Sequence, residues 1–174
     1  MKIIAISAGH HPISPGNRYK NTTEHAEAVI WAAYIADYLD EFGVQVPACT
    51  TKGRLEYLNT LGNNLTLAVE IHFDEPNDNN IARILYAPGN DKAIKAAIII
   101  QEALISSLGC DCKAEEGWYK GDINRGVDFF IRRSPVPALI IVPGAIDKLC
   151  NTTKPRQITC QVIASALLEA IGFL

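Results

Sequence analysis

Six short apolar runs, separated by longer polar or helix-like stretches, constrain this chain more than any other feature. They are KIIAISA (2–8), VQVPACT (44–50), LTLAVEIHF (65–73), ARILYAP (82–88), VDFFI (127–131) and ALIIV (138–142). Each has the length of a strand. Between them, segments at about 23–42, 52–62, 91–108 and 155–171 read as helices. This alternation predicts a three-layer α/β sandwich, a mostly parallel twisted sheet of about six strands flanked by helices. With 174 residues and no repeat or linker, the chain is expected to be a single domain over 1–174.

In such sheets, sites lie beyond the carboxyl ends of the strands. The first run ends in Gly9-His10-His11, so an imidazole is expected at that edge. Composition narrows what it could serve. A net charge of −3 with no basic cluster excludes a duplex nucleic-acid binder. The opening apolar run is too short for a secretory leader and passes straight into Gly-His-His, so it reads as a buried strand. No run reaches the length of a membrane span. The five cysteines are irregularly spaced, and Cys110-Asp111-Cys112 lacks the second pair of a structural zinc site. Reduced thiols are expected.

The helix at 23–42 carries Ala28, Trp31, Ile35, Tyr38, Leu39 and Phe42 at core-facing spacing. Glu27, Asp37, Asp40 and Glu41 fall off that stripe and are expected in solvent. Glu24 precedes Ala28 by four residues, so it belongs to the inward face of the first turn, with Thr22 or Thr23 as N-cap. An acid there is favoured by the helix dipole, but an inward carboxylate must also be paired or bound to a metal. In LTLAVEIHF, Glu70 and His72 share one face of the strand, and Ile71 and Phe73 share the other. His10, Glu24 and His72 together supply two imidazoles and a carboxylate. Three protein ligands with an open fourth position is the pattern of catalytic zinc.

On these residues the chain resembles the zinc-dependent N-acetylmuramoyl-L-alanine amidases of bacterial cell-wall remodelling and phage lysis. The ordered motifs are Gly9-His10, Glu24 at the head of a long helix followed by Gly43, Glu70-Ile71-His72, Arg125-Gly126-Val127 and Pro137-Ala138. The resemblance implies a Zn2+ ion held by His10, Glu24 and His72. It implies hydrolysis of the amide joining N-acetylmuramic acid to L-alanine in peptidoglycan. His11 and His25 are read as surface or orienting groups around the ligands. Trp118 and Tyr119 are read as a platform for sugar or peptide, or a local lid, and Arg125 as a further substrate contact. The expected setting is a monomer with peptidoglycan as its partner. It would be made in the cytoplasm without a leader and act at the wall, with a phage or prophage origin.

One departure matters. The family's late strand runs Pro-Ala-x-x-x-Glu and ends on the catalytic acid/base, whereas here Val142 takes that place. Glu70 is the expected replacement. It lies about 7 Å from His72 along the strand, where it would serve as the base or orient the imidazole. Glu115 and Glu116 are read as a solvated acidic loop. Two rival readings stand: a zinc-binding relative without catalysis that binds or regulates the wall, and another zinc amidohydrolase or carboxypeptidase-like enzyme.

Overall fold

The computed structural model describes residues 1–77, 81–117, 127–149 and 153–174. In chain order the strands are β1 (Ile3–Ala8), β2 (Arg18–Tyr19), β3 (Thr22–Thr23), β4 (Gly43–Gln45), β5 (Leu65–Ile71), β6 (Ala82–Tyr86), β7 (Cys112–Glu116) and β8 (Ala138–Val142). The helices are α1 (Glu24–Tyr38), α2 (Thr51–Thr60), α3 (Asp91–Leu108), α4 (Val127–Arg133), α5 (Ile146–Leu149) and α6 (Thr153–Gly172). The expected α/β sandwich is present. Its six-stranded sheet has the order β4-β1-β5-β8-β6-β7.

Two cores sandwich that sheet. On one face, Ile4, Ile6, Leu67, Val69, Ile71, Leu139 and Ile141 pack under α1, α3 and α6. On the other, Ala5, Ala68, Ala138 and Ile140 meet Leu55 and Leu58 of α2 and Phe130 and Ile131 of α4. Alternation along each strand sends successive side chains to opposite layers.

β4, β1, β5 and β8 run parallel, as do β6 and β7, but β6 is antiparallel to β8. That reversal matters for the site. The start of β6 lies at the carboxyl end of β8, and Arg83 stands opposite Val142 in register.

Several sequence expectations change. VDFFI forms α4, not a strand. Periodicity cannot tell a short apolar run in a helix from one in a strand, and a helical turn lets neighbouring Phe130 and Ile131 both bury against α2 and β8. The acidic segment at 115–116 belongs to β7, an edge strand whose alternating Lys and Glu residues hide its apolar side. The run at 44–50 yields only β4, before Pro47. In α1, Tyr38 is exposed. Glu27 is buried and paired with Arg156 of α6 at 3.1 Å. The helix is covered by α6 as well as by the sheet, so the face expected in solvent meets a second partner.

The four described cysteines, Cys49, Cys110, Cys112 and Cys160, are free thiols. Burial pushes Cys112 and Cys160 up to about 12, which keeps both protonated near neutrality.

Candidate metal centre

β1 delivers the first imidazole. Gly9 N–H donates to the Ile71 carbonyl at 2.8 Å, extending the β1–β5 pairing by one residue. His10 then turns out of the sheet in the left-handed region, φ 57°. That conformation is uncommon for a residue with a side chain and is held by its surroundings. The buried His25 ring supports the turn, its Nδ1 donating to the Gly9 carbonyl at 2.8 Å. His11 stays half-exposed, and its Nδ1 accepts from Ile13 N–H within the loop.

The carboxylate arrives on the first residue of α1. Thr23 caps that helix by accepting from Ala26 N–H at 3.2 Å. The β2–β3 hairpin brings Asn17 beside it, and Glu24 N–H donates to the Asn17 carbonyl. Glu24 is 3% exposed. Its Oε1 accepts from His72 Nδ1 at 2.8 Å and from Phe73 N–H at 3.1 Å. Its Oε2 accepts from Asn17 N–H at 3.1 Å and faces His10 Nε2 at 3.1 Å. Burial would raise this carboxyl, but the bonds and charges of the two imidazoles outweigh it and hold the group well below the usual carboxylate range. For His72, burial acts to lower the ring's pKa, while the bonds and charges of Glu24 and Glu70 raise it from 6.5 to about 9.

The third ligand candidate follows β5. Phe73 anchors this end by an edge contact with Trp31 of α1, ring centres 5.2 Å apart. His72 lies against Gly9 so closely that a Cβ there would come within 2.4 Å of its ring. At Gly16, φ +73°, a Cβ would meet Glu24 Oε2 at 2.5 Å and His10 at 2.6 Å. These two glycines leave room for the rings and the carboxylate.

Donor atoms of His10, Glu24 and His72 all lie within 4.8 Å of one another. Among the described residues no other group of three His, Cys, Asp or Glu side chains converges in this way. His72 Nδ1 lies 2.8 Å from Glu24 Oε1 and His10 Nε2 lies 3.1 Å from Glu24 Oε2, the two oxygens of one carboxylate. The nitrogen–oxygen donor set suits a divalent cation.

The cluster opens into a cavity of about 340 Å3 whose opposite wall includes Asp74, Arg83, Leu85 and Val142. Val142 is 4% exposed, so the position expected to carry an acid/base presents an apolar side chain. Arg83 donates to Asp74. Asp74 is pinned to the neighbouring loop, its N–H donating to the Gly144 carbonyl and its own carbonyl accepting from Ile146 N–H. A larger groove of about 770 Å3 between α1 and β4 is lined mainly by apolar and small residues, with Asp37 and Asp40 its charged members. It lacks any comparable chemistry.

Glu70 is buried beneath this floor. Its Oε1 faces His72 Nε2 at 3.1 Å and accepts from Arg54 Nη2 at 2.8 Å. Arg54 is 1% exposed and was not singled out from the sequence. Nor were Asn17, Asp74 and Arg83. A signal for Arg54 was there: it precedes the core residue Leu58 by four positions, so α2 turns it inward toward the strand face bearing Glu70. Trp118, Tyr119 and Arg125 lie outside the described residues.

No protein-family model matches the chain, and no curated protein matches it. Solved structures do. Cwp6 from Clostridium difficile superposes with a TM-score of 0.81 at 18% identity, over 97% of this chain and 29% of that one. The chain thus spans less than a third of Cwp6. The catalytic domain of CwlV, an N-acetylmuramoyl-L-alanine amidase from Bacillus (Paenibacillus) polymyxa var. colistinus, gives 0.78 at 18% identity over 97% of both chains. The CwlD amidase from Clostridioides difficile, solved in complex with the GerS lipoprotein, gives 0.78 at 16% identity over 100% of both. The chain has the fold of the N-acetylmuramoyl-L-alanine amidases.

Proposed function

We propose that the protein is a zinc-dependent amidase that cleaves the bond between N-acetylmuramic acid and L-alanine in peptidoglycan, acting at the wall as a monomer in the manner of a lysin. The observation that carries this reading is the convergence of His10, Glu24 and His72 at the carboxyl edge of a sheet with the amidase fold. His10 Nε2, a Glu24 oxygen and His72 Nδ1 would hold the ion. When bound there, zinc supplies a Lewis acid for the scissile carbonyl and lowers the pKa of a water molecule.

The chain's own groups do the rest. Asn17 and Phe73 N–H groups fix the Glu24 carboxylate, so the ligand does not rotate away when substrate enters. Arg83 and Asp74 give the facing wall a charged, hydrogen-bonding surface suited to an amide and its neighbouring carboxylates. Glu70, behind His72 and bonded to Arg54, is suited to orienting the imidazole. In the alternative role it would move the proton itself. Val142 cannot, and general acid–base help is worth a factor of about 100 to 10,000. Turnover is therefore expected to be slow.

Val142 also favours a second reading, a zinc-holding module that binds wall without cutting it. Digestion of purified peptidoglycan with zinc-loaded protein tests both. Intact lactyl-muramate together with a new L-alanine amine, seen by mass spectrometry, is the expected result. Cosedimentation with the wall without those products supports the binder. Cleavage elsewhere in the stem peptide overturns the amidase reading.

A further inference from the structure

Arg54 reaches one histidine of the centre directly and the other through Glu70. Its Nη1 donates to the His10 carbonyl at 2.7 Å and to the Cys49 carbonyl at 2.5 Å. Its Nη2 donates to Thr51 Oγ1 at 2.9 Å and to Glu70 Oε1 at 2.8 Å. That same Glu70 oxygen faces His72 Nε2 at 3.1 Å. We propose that Arg54 is a positioning residue for the metal centre, holding His10 through its main chain and His72 through Glu70. This inference rests on the reading of His10, Glu24 and His72 as metal ligands.

The physical case begins with location. A buried Arg–carboxylate pair adds little net stability over apolar side chains of similar volume, since both charges must leave water. Packing alone therefore gives weak reason for this one. Its bonds, in contrast, fix two things a metal site needs. A carboxylate oxygen only accepts, so Glu70 holds a proton on His72 Nε2 and makes Nδ1, 2.8 Å from Glu24, the nitrogen that gives up its proton for a metal ion. A carboxylate behind a ligand imidazole sets its orientation and basicity in this way.

The second bond acts on the main chain. His10 sits at φ 57°, and a donor fixed on its carbonyl holds the turn that aims the ring. Planar and forked, the guanidinium can serve four acceptors on three segments at once. A lysine ammonium cannot span the same set. The residue thus links α2, the β1 turn and β5 by one rigid group.

Three variants test the proposal: Arg54→Lys, Glu70→Gln and the double change Arg54→Met with Glu70→Met. The double variant removes both charges together, which buried pairs generally tolerate without loss of folding. Each is titrated with Zn2+ alone against a chromophoric chelator, and the His72 ring nitrogens are followed by 15N NMR with and without zinc. The expected result is a loss of about 10- to 100-fold in zinc affinity, with the single Nε2–H form of His72 in the zinc-loaded parent lost in the zinc-loaded double variant. Variants that match a zinc-binding parent in affinity and in the 15N pattern overturn the role of Arg54 alone. A parent that binds no zinc overturns the metal reading and this proposal with it.

Discussion

The two walls of the cavity are furnished on different principles. On the β1–β5 side, each candidate ligand is fixed by neighbours: Glu24 by Asn17 and Phe73 N–H groups, His72 by Glu70, and the His10 turn by Arg54 and His25. On the β8–β6 side stand an apolar Val142 and a half-exposed Asp74–Arg83 pair. The first wall gathers donors that could hold a cation. The second carries no group for moving a proton at the position where the amidase resemblance expects one. On the proposed reading, holding a metal and transferring protons would be separable tasks, the first more completely furnished here than the second.

The contrast breaks most completely with Glu24→Ala. That change leaves four donors around an empty spot and should cost about 3–5 kcal/mol of stability. It should also abolish measurable zinc binding, both read by chemical denaturation and metal titration. A variant that still binds zinc like the parent would show that the ligand wall lies elsewhere.

Val142→Glu attacks the other wall. If the two tasks are separable, restoring a carboxylate should raise cleavage of a soluble muropeptide by about 100-fold, near the low end of general acid–base help, with zinc content unchanged. An unchanged rate in a folded, zinc-loaded variant would mean that proton transfer is already supplied by another residue.

Gly9→Ala sharpens the ligand wall in a smaller way. Its Cβ would fall 2.4 Å from the His72 ring, and the forced shift should cost roughly 1–3 kcal/mol together with some zinc affinity. An alanine that leaves both unchanged would mean the ring has room that the geometry denies.

The smallest effect is in pH. His72 is raised from 6.5 to about 9 in the folded, metal-free protein, so its contribution is full below 6.5 and is lost as pH rises through 9. Glu24 is lowered from 4.5, so its contribution is present above 4.5 and is lost as pH falls. Thermal scans without metal should give a plateau between 4.5 and 6.5 and decline on both sides. Zinc should oppose the alkaline decline, since ligation needs His72 to give up a proton.

Much of this was legible in the sequence, unevenly. Glu24 announced itself because helical spacing put it on the face of Ala28 and Trp31, and that face is covered by sheet. His72 and Glu70 followed from strand alternation. What remained hidden depended on which elements touch. Glu27 looked solvent-bound until α6 brought Arg156 against it. Arg54 gained meaning only when α2 packed under β5. β7 was obscured because an edge strand needs just one apolar side and advertises it weakly, and α4 because five apolar residues fit either geometry.

The reversed strand β6 has a consequence for how this cavity can change. Since it enters the sheet at the site edge, position 83 reshapes the mouth directly, while the crossover connections on the parallel half stay as they are. Variation in what the pocket accepts can thus accumulate at the beginning of one strand without disturbing the scaffold around His10, Glu24 and His72.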